Sequence, residues 1–215
     1  MRQGLRIVRV DQGDEPRVTA LHRRCSADAL WHRYHRAMGD PGTYLGPLLS
    51  RPRSVHLAVQ DPRERLVAIG HLLPDDGDAE AALLVEDTWQ NSGLGTRLLE
   101  ELGRFAVASG VHEVYGVVHP DDARMAAVLH HAGVPLRRVA ETGGAATIRA
   151  RTQDIGLALA CSPVRRGWWR RGAGKHHVSQ SSVRSWDQGP AVQRVLRRSF
   201  EDASPTCRTR TVQEV

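Results

Sequence analysis

The sequence predicts a mixed α/β (α+β) domain followed by a basic extension, and three observations predict it. First, the apolar period switches between two and about 3.6 through residue 151. The order is strand, helix, helix, three strands, helix, strand, helix, two strands. Second, turn residues at Asp61-Pro62-Arg63-Glu64 and around Gly143-Gly144 join neighbouring strands as hairpins. Third, Gln90-Asn91-Ser92-Gly93-Leu94-Gly95 stands between an apolar strand and an amphipathic helix.

Leu5 to Val10 reads as the first strand. Asp14, Glu15 and Pro16 suit the first turn of a helix that runs to about Arg24, with Val18 and Leu21 inward. Ser26 is a good N-cap for a second helix that carries Leu30, Trp31, Tyr34 and Met38 at helical spacing. Gly39-Asp40-Pro41-Gly42 stops it. Ser54 to Val59 and Arg65 to Leu73 read as a hairpin, with Val67, Ile69 and His71 on one face, and Pro74 to Asp78 as a loop.

A strand follows at Ala81 to Val85, then the glycine-containing loop, then a helix whose buried stripe is Leu94, Leu98, Leu102, Phe105 and Ala106. Gly103 should weaken that helix by roughly 1 kcal/mol relative to alanine, and Gly110 should end it. Val111 to Val118 is a strand. Pro120-Asp121-Asp122 opens a helix that buries Met125, Val128 and Leu129 and ends at Gly133. Leu136 to Ala140 and Ala145 to Arg151 form the last hairpin.

Charge divides the 215 residues unevenly. Residues 1–160 hold 19 Lys+Arg and 20 Asp+Glu, and residues 161–215 hold 11 and 4. The basic character therefore belongs to the extension. Residues 1–155 are expected to form the folded domain and 156–215 an Arg-rich extension of low order. Arg165-Arg166-Gly167-Trp168-Trp169-Arg170-Arg171 is the one stretch that suits an anionic surface or a nucleic acid, though an extension without a role is the simpler reading. Cys25, Cys161 and Cys207 show no Cys-x-x-Cys spacing, which argues against a disulfide framework or a zinc site. His22, His32 and His35 have no ligand spacing with a carboxylate and read as core or solvent-facing, so no metal is expected. No apolar signal core or run of ~18 apolar residues occurs, so a cytoplasmic location and no membrane contact are expected.

The loop is built for an anion. The first N–H groups of a helix lack partners and, with the helix dipole, face the loop. It is not a Walker A loop, because Gly95 is followed by Thr96-Arg97 with no lysine. It is not a dinucleotide fingerprint, because position 98 is leucine where a third glycine is required.

What fits is Gln/Arg-x-x-Gly-x-Gly/Ala, met here by Gln90, Gly93 and Gly95 behind Leu83-Leu84-Val85-Glu86-Asp87-Thr88-Trp89. In this the chain resembles the GNAT superfamily of acyl-CoA-dependent N-acyltransferases, over about residues 4–152. The run Cys25-Ser26-x-x-x-Leu30-x-x-Arg33-Tyr34 is similar to a segment of its bacterial protein-lysine acetyltransferase branch.

The resemblance implies the GNAT fold, a central mixed and mostly antiparallel sheet with helices on both faces. It implies acetyl-CoA, or a related acyl-CoA, as acyl donor and a primary amine, such as a protein lysine or a small amine, as acceptor. Gln90, Asn91, Ser92, Gly93, Leu94, Gly95 and Thr96 would hold the pyrophosphate. Backbone groups of Leu83 and Val85 would pair with the pantetheine arm, and a backbone N–H there would serve as oxyanion donor. Glu80 would be the general base. Asp122 stands where many relatives have a CoA-contacting asparagine. The helix from Ala123 to Ala132 has no tyrosine to act as general acid, and Glu86 and Asp87 read as turn polarity. The alternative is a catalytically weak acyl-CoA-sensing or interaction module with a nucleic-acid-binding arm.

Overall fold

A computed structural model describes residues 4–142 and 144–161. Residues 162–215, the Arg-rich stretch among them, lie outside the described residues, as does Gly143. The strands are β1 (Arg6–Arg9), β2 (Val55–Gln60), β3 (Leu66–Asp75), β4 (Asp78–Val85), β5 (Glu113–Val118), β6 (Arg137–Thr142) and β7 (Ala145–Arg151). The helices are α1 (Glu15–Arg24), α2 (Ala27–Tyr34), α3 (Gly42–Leu49), α4 (Leu94–Ser109), α5 (Ala123–Ala132) and α6 (Thr152–Cys161). One sheet holds all the strands in the order β1-β2-β3-β4-β5-β7-β6. Every pairing is antiparallel except β4 with β5, whose crossover runs through α4. None of the described helices is long and apolar enough to cross a membrane.

The sheet is buried on both faces. On one, Ala79, Leu83 and Val114 pack under Leu94, Leu98, Leu102 and Ala106 of α4 and Ile155 of α6. On the other, Ile69, Leu73 and Leu84 pack under Val18 and Leu21 of α1, Tyr34 of α2 and Tyr44, Leu45 and Leu48 of α3. Alternation along β4 therefore puts Glu80 on the α1–α3 face with Leu84.

The structure departs from the sequence reading in six places. Residues 74–78 are not a loop. Asp76 (φ 46°) and Gly77 (φ 85°) form a two-residue hairpin turn between the paired Asp75 and Asp78, lengthening both strands. A bulge between Val59 and Gln60 turns Val67 onto the α4 face, away from Ile69 and His71. Helix α2 ends at Tyr34, with His35 in the left-handed region (φ 55°), and Trp31 is 46% exposed.

Beyond the Gly-Pro stop, α3 forms without a side-chain cap and with Pro47 inside it. Burial of Tyr44, Leu45, Leu48 and Leu49 against α1 sustains it where propensity would not. Helix α5 buries no residue fully, and Met125, Val128 and Leu129 are half-buried walls of a cleft. Finally, α6 runs across the boundary expected at 155/156 and packs against α4.

That packing changes the meaning of Gly103. A Cβ there would stand 2.9 Å from Ile155 Cγ2. Gly103→Ala is therefore expected to destabilise the protein by about 1–3 kcal/mol through overpacking, against the roughly 1 kcal/mol gain that helix propensity alone allows. A higher melting temperature in the variant would show that the α4–α6 contact can give way freely.

Candidate active site

Strands β4 and β5 pair only at Ala79 with Val114 and Glu80 with Tyr115. Beyond that they part. In the tight hairpin the even-numbered β4 residues bond to β3, a parity continued by Glu86 N–H donating to Val67 O (3.0 Å). Ala81, Leu83 and Val85 therefore direct their N–H and C=O groups into the gap. The gap is narrow at its closed end, since a Cβ on Gly116 would come within 3.3 Å of Ala81 O.

At the open end of β4 stands the loop. Asn91 (φ 54°) and Gly93 (φ 79°) are both left-handed, and nothing lies within 4 Å of a Cβ at Gly93. Gly93 is the N-cap of α4, and no side chain caps the helix. Arg97 N–H is the first to bond back, to Gly93 O (3.1 Å). The N–H groups of Leu94, Gly95 and Thr96 are thus left to a ligand, and with the helix dipole they suit a phosphate. Gly95 serves packing as well, since a Cβ there would meet Val128 Cγ2 at 3.1 Å, so glycine lets α5 approach α4.

Leu83, Val85, Gln90, Asn91, Gly93, Leu94, Gly95, Thr96 and Asp122, all named from the sequence, line this one cleft. Ser92 does not line it; its hydroxyl donates to Trp89 O, closing the turn. The Leu94 side chain is buried in the core, so only its backbone faces the loop. Gln90 donates to Val85 O (3.2 Å) and accepts from Arg124 Nη1 (3.0 Å), while Arg124 Nη2 donates to Asp28 (2.7 Å). Asp122 accepts from the N–H groups of Arg124 (3.1 Å) and Met125 (3.0 Å), so it caps α5.

Glu80 stands outside that cleft, in a second cavity that shares His32, Arg33, Leu83, Met125 and His131 with it. It is 5% exposed. Beside it Tyr115 O–H donates to Asp75 (2.6 Å). Burial, the Asp75 carboxylate and the Glu80 charge all push the Tyr115 phenol up, so it stays protonated. The Arg51 guanidinium also feels the Glu80 charge.

Helix α2 spans the gap. At its start Asp87 accepts from Ser26 N–H (2.8 Å) and Ser26 O–H (2.6 Å). Arg24, at the end of α1, donates to Glu86 (3.0 Å) and to Leu66 O (2.5 Å). At its end His35 Nε2–H donates to Val117 O of β5 (3.1 Å). Glu86 and Asp87 are therefore straps between β4 and the helices, not mere turn polarity.

Of the three histidines, His22 is core, bonded to Val18 O (2.8 Å) and Tyr34 Oη (2.8 Å), while His32 and His35 line the cavity. No group of metal-ligating side chains occurs among the described residues. Burial and the nearby Asp87 and Glu86 charges push the Cys25 thiol up to about 12, so it is no nucleophile.

Arg33 entered the sequence reading only as part of the Cys25–Tyr34 run and was given no role in the site. Its signal was faint: it lies four residues after the buried Ala29, on the inner side of a short helix.

Several solved structures share this fold. The GNAT domain of S. lividans PAT superposes with a TM-score of 0.60 at 20% identity, covering 67% of this chain and 89% of that one. Spermidine N-acetyltransferase from Vibrio cholerae, solved with CoA and spermine, gives 0.55 at 11% identity, covering 70% and 97%. The acetyltransferase yncA from Salmonella typhimurium, solved with its cofactor acetyl-CoA, gives 0.52 at 17% identity, covering 69% and 94%. A search of the curated proteins finds no match. The family model described as the acetyltransferase (GNAT) family matches residues 17–134, more than half of the chain. On that match, with the parted strands and uncapped helix behind it, the chain belongs to the GNAT acetyltransferase family and is an acyltransferase.

Proposed function

We propose that this protein transfers an acyl group from acetyl-CoA, or a related acyl-CoA, directly to a primary amine. The Cys25–Tyr34 segment favours a protein lysine as acceptor. The observation that carries the reading is the gap between β4 and β5, which joins the uncapped start of α4 to the Glu80 cavity.

The residues present fit the donor. The N–H groups of Leu94, Gly95 and Thr96 would hold the pyrophosphate, and Leu83 and Val85 would pair with the pantetheine amides as an added strand. When bound, acyl-CoA supplies a thioester carbon open to attack. Glu80 takes a proton from the acceptor ammonium, leaving the nitrogen lone pair free to form the amide bond. A β4 N–H in the gap donates to the carbonyl oxygen as that oxygen gains charge. The nitrogen gives up a second proton as the amide forms; that proton goes to the departing thiolate, and Glu80 releases the first to solvent. Asp122 acts here by fixing the start of α5 over the cleft, a lesser role than direct contact with the donor.

Calorimetric titration with acetyl-CoA tests the reading, with ATP as control. Micromolar binding of acetyl-CoA without binding of ATP is expected. Absence of acetyl-CoA binding would overturn it.

A further inference from the structure

Arg33 is a cation set where the two cavities meet. It lines both the donor cleft and the Glu80 cavity. The residue is 8% exposed, and its Nε and Nη2 atoms are buried without a hydrogen-bond partner. Its guanidinium lies over the Tyr34 ring, 4.6 Å from the centroid. Its charge is felt by His22, Tyr34, His35, Tyr44 and His71, none of them a carboxylate.

A buried guanidinium that lacks an anion is costly, because desolvation of the charge is not offset. The helix that carries it cannot easily carry it away. Both ends of α2 are tied down, at Ser26 to Asp87 and at His35 to Val117. Two of its donors therefore stay unsatisfied at a residue that lines both cavities.

We propose that Arg33 is the carboxylate-binding group of this site, so that the reacting pair brings a carboxylate to the junction. The inference rests on the acyl-transfer reading above and deepens it. The planar fork of arginine matches a carboxylate with two parallel N–H donors. With Glu80 in the same cavity, the site offers an acid for an ammonium and a cation for a carboxylate. That pair suits an amino-acid-like acceptor or an acidic group beside the reacting amine. It equally suits an acyl chain that ends in a carboxylate. It does not suit a polyamine.

Two arms separate the sources, both on the full-length protein. Calorimetry compares succinyl-CoA with acetyl-CoA. Turnover of acetyl-CoA compares α-amino acids with their methyl esters. In one arm the parent should favour the carboxylate by about tenfold or more, the usual worth of a charged hydrogen-bonded pair. Arg33→Met should abolish that preference and Arg33→Lys should keep only part of it. No preference in the parent in either arm, or a preference that survives Arg33→Met, overturns the proposal.

If Arg33→Met does not fold, Arg33→Lys carries the test, since it keeps the charge and loses the fork; an undiminished preference then overturns the proposal. Failure of acetyl-CoA to bind at all would instead sink the acyl-transfer reading. Arg33 is then tested by thermal melting with succinate against succinamide at matched ionic strength. A rise with succinate that Arg33→Met or Arg33→Lys diminishes sustains the carboxylate site, and no rise ends it.

Discussion

Glu80→Gln is expected to lower kcat for N-acyl transfer by about 10²- to 10⁴-fold, the usual contribution of a positioned general base. Acetyl-CoA affinity should stay as in the parent, because Glu80 does not line the donor cleft. Register sets Glu80 beside Tyr115 at the last paired rung before the strands part, and parity turns it away from α4 toward the α2 side. It is the carboxylate within reach of the junction on that face of β4; Glu86, the next acid of that parity, is taken up by Arg24 at 3.0 Å.

Glutamine keeps size and polarity but cannot take a proton. Stopped-flow or steady-state turnover beside calorimetry separates the two effects. Equal turnover in the variant would remove Glu80 as the base. Loss of acetyl-CoA binding along with turnover would mean that the substitution disturbed the gap itself.

The second large effect is on stability in mild acid. His22, His56 and His71 are buried, with His56 Nδ1 and His71 Nδ1 2.8 Å apart across β2 and β3. Burial, the leading cause, pushes His22 and His56 down from 6.5 to about 4 and His71 well below its ordinary value. Between pH 6.5 and about 4 the unfolded chain binds protons on these rings while the folded chain does not. Stability therefore rises with pH across that window and is lost on acidification.

Each such histidine contributes a slope of about 1.4 kcal/mol per pH unit. The effect precedes that of the carboxylates held below their ordinary values, such as Glu113 between Arg149 and Arg137, whose contribution is lost only at lower pH. Urea unfolding at intervals from pH 7 to 4.5 reads the slope. His22→Gln should reduce it by about one proton. A flat profile above pH 5 would contradict the buried neutral state of these rings.

Strong local signals were legible in the chain. The Gly-x-Gly loop between apolar strand and helix, the Ser26 cap, the Gly110 and Gly133 stops and the α4 stripe are each fixed by neighbours within a few residues. Such features act through backbone conformation and period, which a sequence displays directly. The glycine loop was therefore readable, and with it the family.

What joins distant segments was not readable. Helix α3 has poor propensity and exists because α1 covers it. Gly103 reads as a defect until Ile155 is brought against it. The parity of β4 was open until the hairpin turn at Asp76-Gly77 fixed its register, and only that register sends Leu83 and Val85 into the gap and Glu80 to the other face. Arg33 stood in the Cys25–Tyr34 run, but nothing local to the sequence showed that it is buried between two cavities. The ties from Ser26 to Asp87 and from His35 to Val117, 61 and 82 residues apart in sequence, hold the helix that carries it in place.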